Sequence, residues 1–302
     1  MRYFTRHKIL SIVLILLSVY LYVNYTRIIE VNPKIDKSSP AYVNDIYMSD
    51  ERIYNNYLNE LEKVAYNDLK DMFEKRTTKN KVDLTKYQGK TTSEVRGIFG
   101  TAHEALMLDH PEMLQFAGMS YYYSETELEV RIRMAINNPV MESLNTLKIR
   151  RIIDNIKKDT KNMTDREKIK YVYDWIGDNN TYDDLFTTQS KNQSIYNVFI
   201  KGNAVCAGFA KASQVIFQNI GIESVAISGN STGPHMWNIV KIDDKYYYYD
   251  STYAASINDK SHPSFYGGLT QEEMNYYTVD YPTWYPKVET TNGLMEVEEN
   301  ET

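Results

Sequence analysis

Apolar and charged residues alternate from Leu128 to Met134 (LEVRIRM), the period-two pattern of a half-buried strand. Met119 to Tyr123 offers a hairpin partner across the polar Ser124-Glu125-Thr126 turn. Helical spacing flanks this hairpin. Ile53, Tyr57, Leu61, Val64, Met72 and Phe73 predict one amphipathic helix from Ser49 to about Arg76, and a second runs from Ser93 to Leu108, stopping before His110-Pro111. A third follows Asn137-Asn138-Pro139, with Leu144, Leu147, Ile152, Ile153 and Ile156 at helical intervals. Thr164-Asp165-Arg166-Glu167 has the form in which a hydroxyl and a carboxylate reciprocally satisfy two orphan amides, so a further helix starts there and ends near Gly177.

Downstream, Val205, Phe209, Ala212, Ile216 and Ile220 align on a helix that Gly221 terminates. Glu223 to Ile227 reads as a short strand, Ser228 to Pro234 as a loop, His235 to Ile242 as a second strand, and Lys245 to Asp250 as its return across Asp243-Asp244. A two-residue turn sets Ile242 against Lys245 and Trp237 against Asp250, which leaves His235 and Asp250 diagonal on one face. A three-residue turn puts them on opposite faces.

Composition narrows the chemistry. The 302 residues carry 34 Lys+Arg against 40 Asp+Glu, a net charge of -6 with no basic cluster, so a nucleic-acid partner is not expected. His103, His110 and His262 lack paired metal spacing, and no glycine-rich phosphate loop is present. Asp178 to Asp184 lacks the glycine and distant glutamate of a calcium loop and reads as a polar turn. No metal or cofactor is expected. The single cysteine, Cys206, excludes an intramolecular disulfide, so any thiol role is chemical.

Cys206 falls in the first turn of its helix, where unpaired amides and the helix dipole favour negative charge on sulfur and can receive an oxyanion. Ala207 and Gly208 are small enough to let a substrate reach the backbone. A histidine at a strand start and a carboxylate on the adjoining strand complete a set suited to nucleophilic catalysis: the imidazole moves the thiol proton, and the carboxylate fixes its tautomer. Taken singly, each has a bland reading, as a small core thiol, a surface histidine and a strand-end carboxylate.

At the N-terminus, residues 9–26 carry no charge, and Arg2, Arg6 and Lys8 precede them. The expectation is a single-pass anchor at 1–26 with its N-terminus in the cytoplasm, in preference to a cleaved signal or a buried core helix. A stalk follows at 27–48, and an acidic mobile tail is expected at 287–302.

The string Val205-Cys206-Ala207-Gly208-Phe209-Ala210, then His235-x-Trp237-Asn238, then Tyr249-Asp250-Ser251-Thr252 resembles the transglutaminase-like domain of the papain-like cysteine-enzyme superfamily. Lys168 to Tyr182 resembles the helix and N-x-x-Y that precede the core in bacterial members, and Asp109-His110-Pro111-Glu112 with its hairpin resembles their companion segment, so residues 95–255 are covered. The chain departs from the pattern at Tyr253, where tryptophan is frequent, and at Ala207, where many members carry glutamine. The resemblance implies Cys206 as nucleophile, His235 as base and Asp250 as orienter, with Tyr182 and Trp237 either lining the cleft or packing in the core. The fold it implies is α+β, a papain-like core in which a cysteine-bearing helix packs on an antiparallel sheet. A helical and hairpin companion region at 49–160 precedes a catalytic core at 161–286.

The expected protein is thus a membrane-anchored, extracytoplasmic thiol enzyme acting on protein or peptide amides of the cell envelope through a thioester. Either water or an amine resolves that thioester. The alternative is a non-catalytic binding or scaffolding module on the same fold.

Overall fold

The computed structural model describes residues 46–113, 116–134, 136, 138–183, 190–256 and 275–288. The expected anchor, nearly all of the stalk, His262, Asp184 and all but the first two residues of the acidic tail lie outside the described residues. Among the described residues no helix is long and apolar enough to cross a membrane.

Polar caps decide where the helices begin. The single helix expected from Ser49 is two, α1 (Arg52–Asn56) and α2 (Glu60–Glu74), because Asn59 starts a new one: its side chain accepts from the Leu61 and Glu62 amides while Glu62 reaches back to the Asn59 amide. The first turn of α1 is capped from a distance. Asp109, at the end of α3 (Thr92–Asp109), accepts from the Ile53 and Tyr54 amides at 3.0 Å each. The small antiparallel sheet β1 (Lys79–Lys81), β2 (Phe116–Tyr123) and β3 (Leu128–Met134), in the order β1-β3-β2, follows the alternation in the sequence, with Leu128, Val130 and Ile132 buried and Arg131 exposed.

Asn138 caps α4 (Pro139–Asp159), and Thr164 caps α5 (Asp165–Asn179) through the expected reciprocal pair with Glu167. That helix runs two residues past Gly177, because Ile176 is fully buried and the main chain turns extended only at Asn180. Two short parallel strands, β4 (Thr181–Tyr182) and β5 (Asn203–Ala204), then deliver the chain into α6 (Cys206–Ile220). Behind α6 lies an antiparallel sheet in the order β8-β7-β6-β9, formed by β6 (Ser224–Asn230), β7 (Pro234–Ile242), β8 (Lys245–Tyr249) and β9 (Thr278–Val279). A short helix, α7 (Thr252–Ser256), follows β8. The strand expected to stop at Ile227 continues to Asn230, so the expected loop from Ser228 shrinks to Ser231–Gly233.

The core lies between α4, α5 and α6 on one side and the sheet on the other, with Ile153, Val172, Phe209, Val215, Phe217 and Tyr249 at its centre. Helix and sheet are tied by buried polar groups: Asn238 on β7 donates to the Ala210 carbonyl at 2.9 Å, and Gln214 on α6 accepts from the Ala226 amide at 2.8 Å. Gln214 also donates to the Tyr47 hydroxyl, Gln218 pairs with both main-chain groups of Met48, and Asn219 donates to the Ile46 carbonyl, so residues 46–48 lie along the C-terminal half of α6.

Replacing Thr164 with alanine removes one member of the α5 cap while leaving buried apolar surface untouched. The expected loss is about 1 kcal/mol in a urea titration, with an unchanged dependence on denaturant.

Candidate active site

Extended backbone at Val205 turns into α6 at Cys206, which is the first helical residue, and no side chain caps that end. The first-turn amides of Cys206 and Ala207 have no intrahelical acceptor by position, whereas those of Gly208 and Phe209 turn back to the Val205 carbonyl at 2.9 and 3.2 Å. The Cys206 side chain is half-buried. Gly208 does not open the backbone to a substrate as expected. It is buried, and a Cβ there would meet the Asn192 carbonyl at 3.1 Å and the Ala204 methyl at 2.9 Å, so its missing side chain makes room for the chain's own 192–194 segment.

The β7–β8 hairpin closes with two residues. Asp243 and Asp244 both take positive φ, 49° and 60°, and Ile242 pairs with Lys245 and Asn238 with Tyr249. His235 and Asp250 therefore stand on one face, with His235 Nε2 2.7 Å from Asp250 Oδ2. The Cys206 sulfur is near enough to this imidazole to favour its charged form. With Nε2 held by the carboxylate, Nδ1 is the nitrogen left for sulfur.

The structure thus brings Cys206, His235 and Asp250 together. Asp250 is buried, its Oδ1 accepting from the Thr252 amide at 2.9 Å and its Oδ2 also from the Tyr277 hydroxyl at 2.9 Å. Burial alone would raise its pKa, but the His235 hydrogen bond and charge, with the Thr252 bonds, hold it below the ordinary aspartate value. Burial likewise disfavours a charged His235. Hydrogen bonds to Asp250 and Cys206, and their charges, outweigh it and push the imidazole up to about 10.

Of the two readings open for Trp237, cleft lining and core packing, the structure shows packing: its side chain is 0% exposed. Two residues from His235 on the same face of β7, it stacks on the imidazole, with ring centroids 5.8 Å apart and planes 17° apart, and packs edge-on against Tyr277. Tyr182 is half-buried on β4 with its ring 6.3 Å from Phe209. Two site residues escape sequence reasoning. Tyr277 has only the short β-rich run Tyr276-Tyr277-Thr278-Val279 as a signal. Lys211, five residues beyond Cys206, is buried, which lowers its pKa against the attraction of Glu104 and Cys206. His103, half-buried, is pushed down to about 4 by desolvation and by Lys211, and His110 pairs with Glu112 at 2.8 Å. Among the described residues no three His, Cys, Asp or Glu side chains are grouped to hold a metal ion.

Residues 150–251, which contain the cysteine, the histidine and the carboxylate, match the family model of the transglutaminase-like superfamily. This segment is a transglutaminase-like domain. No curated protein matches the chain. Among solved structures the chain is similar to a TGase, at 17% identity and a TM-score of 0.35 over 45% of this chain and 44% of that one. It is also similar to a proposed cysteine protease from Cytophaga hutchinsonii, at 15% identity and a TM-score of 0.31 over 47% of this chain and 64% of that one. A proposed protease from Parabacteroides distasonis follows at 14% and 0.29, over 44% and 35%. The chain spans less than two thirds of the length of each.

Two measurements probe the transglutaminase-like site. Gly229 faces β9 so closely that a Cβ would overlap the Thr278 carbonyl and come within 2.8 Å of Trp237. Gly229→Ala is expected to destabilise the fold by roughly 1–3 kcal/mol and to lose hydrogen-exchange protection at the β6–β9 pairing. The second concerns pH. The stability that His235 gains from its raised pKa is fully present below the unfolded value near ~6.5 and is lost as pH rises through about 10. The depressed Asp250 contributes above its unfolded value near ~3.9 and loses its contribution as pH falls through its lower folded value. The difference in urea midpoint between wild type and His235→Gln is therefore expected to be largest near pH 5–6 and to narrow towards pH 10.

Proposed function

We propose that this chain is a thiol enzyme acting on protein or peptide amides, with Cys206 as nucleophile, His235 as proton carrier and Asp250 as its anchor. The observation that carries the reading is the imidazole held by a carboxylate and acted on by a sulfur at an uncapped helix start. Because Asp250 and Cys206 favour the charged form of His235, the imidazole serves as counter-ion to the sulfur as it gains charge and then as the acid.

The sulfur attacks the amide carbon, and the carbonyl oxygen takes the electron pair and faces the Cys206 and Ala207 amides. Collapse breaks the C–N bond, and His235 gives its proton to the leaving nitrogen, which leaves a thioester and a neutral imidazole. That imidazole then accepts a proton from the attacking water or amine as the C–S bond breaks, restoring the imidazolium and the sulfur anion. Asp250 holds Nε2 throughout, so Nδ1 stays aimed at sulfur. Tyr182 is the aromatic assigned to the acyl side, since it flanks the entry into α6 and Trp237 does not reach the surface.

The uncharged run at residues 9–26, preceded by three cations, supports a single-pass anchor with the domain outside the membrane, and envelope-associated protein or peptide as the substrate class. A glutamine-containing peptide offered with a labelled amine tests the reaction and separates its two outcomes by mass spectrometry: amine incorporation marks transfer, and a glutamate product marks hydrolysis. Cys206→Ala is expected to reduce either by a factor on the order of 10³ or more. No product and no acyl-Cys206 adduct on any offered peptide, together with Cys206 alkylation indifferent to His235→Ala, would leave a binding module as the reading.

A further inference from the structure

Asp250 has a second donor that the steps above do not use. Its Oδ2 accepts from His235 Nε2 at 2.7 Å and from the Tyr277 hydroxyl at 2.9 Å. A carboxylate only accepts, so Tyr277 gives it its one proton, and the Tyr277 oxygen is left to accept from the Tyr253 hydroxyl 3.3 Å away. The Tyr277 ring meets the imidazole edge-on, with centroids 5.7 Å apart, and its centroid lies 4.9 Å from that of Trp237, so the three rings pack against one another. The main chain fixes this placement: β9 pairs Val279 with Gly229 and Thr278 with Asn230, beside His235, and Asp280 donates to the Ser228 carbonyl. Residue 277 lies beyond the matched domain at 150–251.

We propose, resting on the thiol-enzyme reading, that Tyr277 is a positioning residue for the Asp250–His235 pair and that Tyr253 orients it, which makes the segment around β9 part of the active site. The hydroxyl takes up part of the charge on Oδ2, the carboxylate oxygen that the imidazole also contacts, and helps to fix that oxygen's place. Tyr253 stands where relatives frequently carry tryptophan, and here that position supplies a hydroxyl to the relay. The other titratable groups facing this set are Cys206 toward His235, and Lys211 on α6 toward the sulfur, with Glu104 and His103 from α3 facing Lys211.

The test uses the full-length protein, whose single cysteine makes iodoacetamide uptake a reading of Cys206 alone. In the wild type the alkylation rate is expected to change in a step near pH 10, as His235 loses its proton. Tyr277→Phe keeps the ring and removes the hydroxyl. Asp250 then pulls harder on the imidazole, so the step moves to higher pH by about half a unit or more. Tyr253→Phe moves it the same way by less, and it decides the matter alone if Tyr277→Phe does not fold. A step that stays in place in both variants while His235→Ala abolishes it reduces Tyr277 to packing and overturns the proposal. A profile unchanged even by His235→Ala removes the thiol-enzyme reading itself, a separate result.

Discussion

Asp243 and Asp244 adopt left-handed backbone, which costs on the order of 1 kcal/mol per residue for a side chain other than glycine, and in doing so close the β7–β8 hairpin with two residues. Every relation at the site depends on that count. With period-two alternation, one residue more would turn Asp250 to the far side of the sheet and leave His235 facing sulfur with nothing behind it. The register is held from the other side as well, since β6 pairs Gly229 with His235 and Ile227 with Trp237. Asn238, fully buried, then fixes β7 against α6 through the Ala210 carbonyl, one turn beyond Cys206. Turn, register and buried amide together set the distance between the sulfur and the imidazole.

The electrostatics follow from that placement. A buried aspartate with three donors stays ionised, and an ionised neighbour at 2.7 Å keeps an imidazole charged against its own desolvation. The Trp237 and Tyr277 rings packed against His235 exclude solvent and so strengthen the interaction that favours its charge. Lys211, buried on the helix that carries the sulfur, is drawn towards its charged form by Glu104 from α3 against its own desolvation. The companion helices thus reach the site electrostatically as well as by packing.

Much of this was legible in the residues because it is local. Strand β3 shows its alternation, Thr164 and Glu167 advertise a cap, and Cys206, His235 and Asp250 lie within a helix and a hairpin whose geometry the spacing constrains. The misreadings concern long-range partners. Asn59 interrupts a helix that apolar periodicity alone runs together, with Asp109, fifty residues on, capping the piece before it. Gly208 looks like an open approach until the 192–194 segment closes over it, and Trp237 is indistinguishable from a cleft residue until β9 and Tyr277 cover it. Tyr277 was beyond reach for the same reason: among 27 tyrosines, only the fold says which one touches Asp250.

The side chains of Gln214, Gln218 and Asn219 grip residues 46–48 along the C-terminal half of the helix whose other end carries the sulfur. At 1.5 Å of rise per residue, the outermost of these attachments is about 18–20 Å from Cys206. A pull on the chain at residue 46 therefore bears on amide side chains along α6 and, through Gln214, which also holds the Ala226 amide, on β6, the strand paired with the one that carries His235.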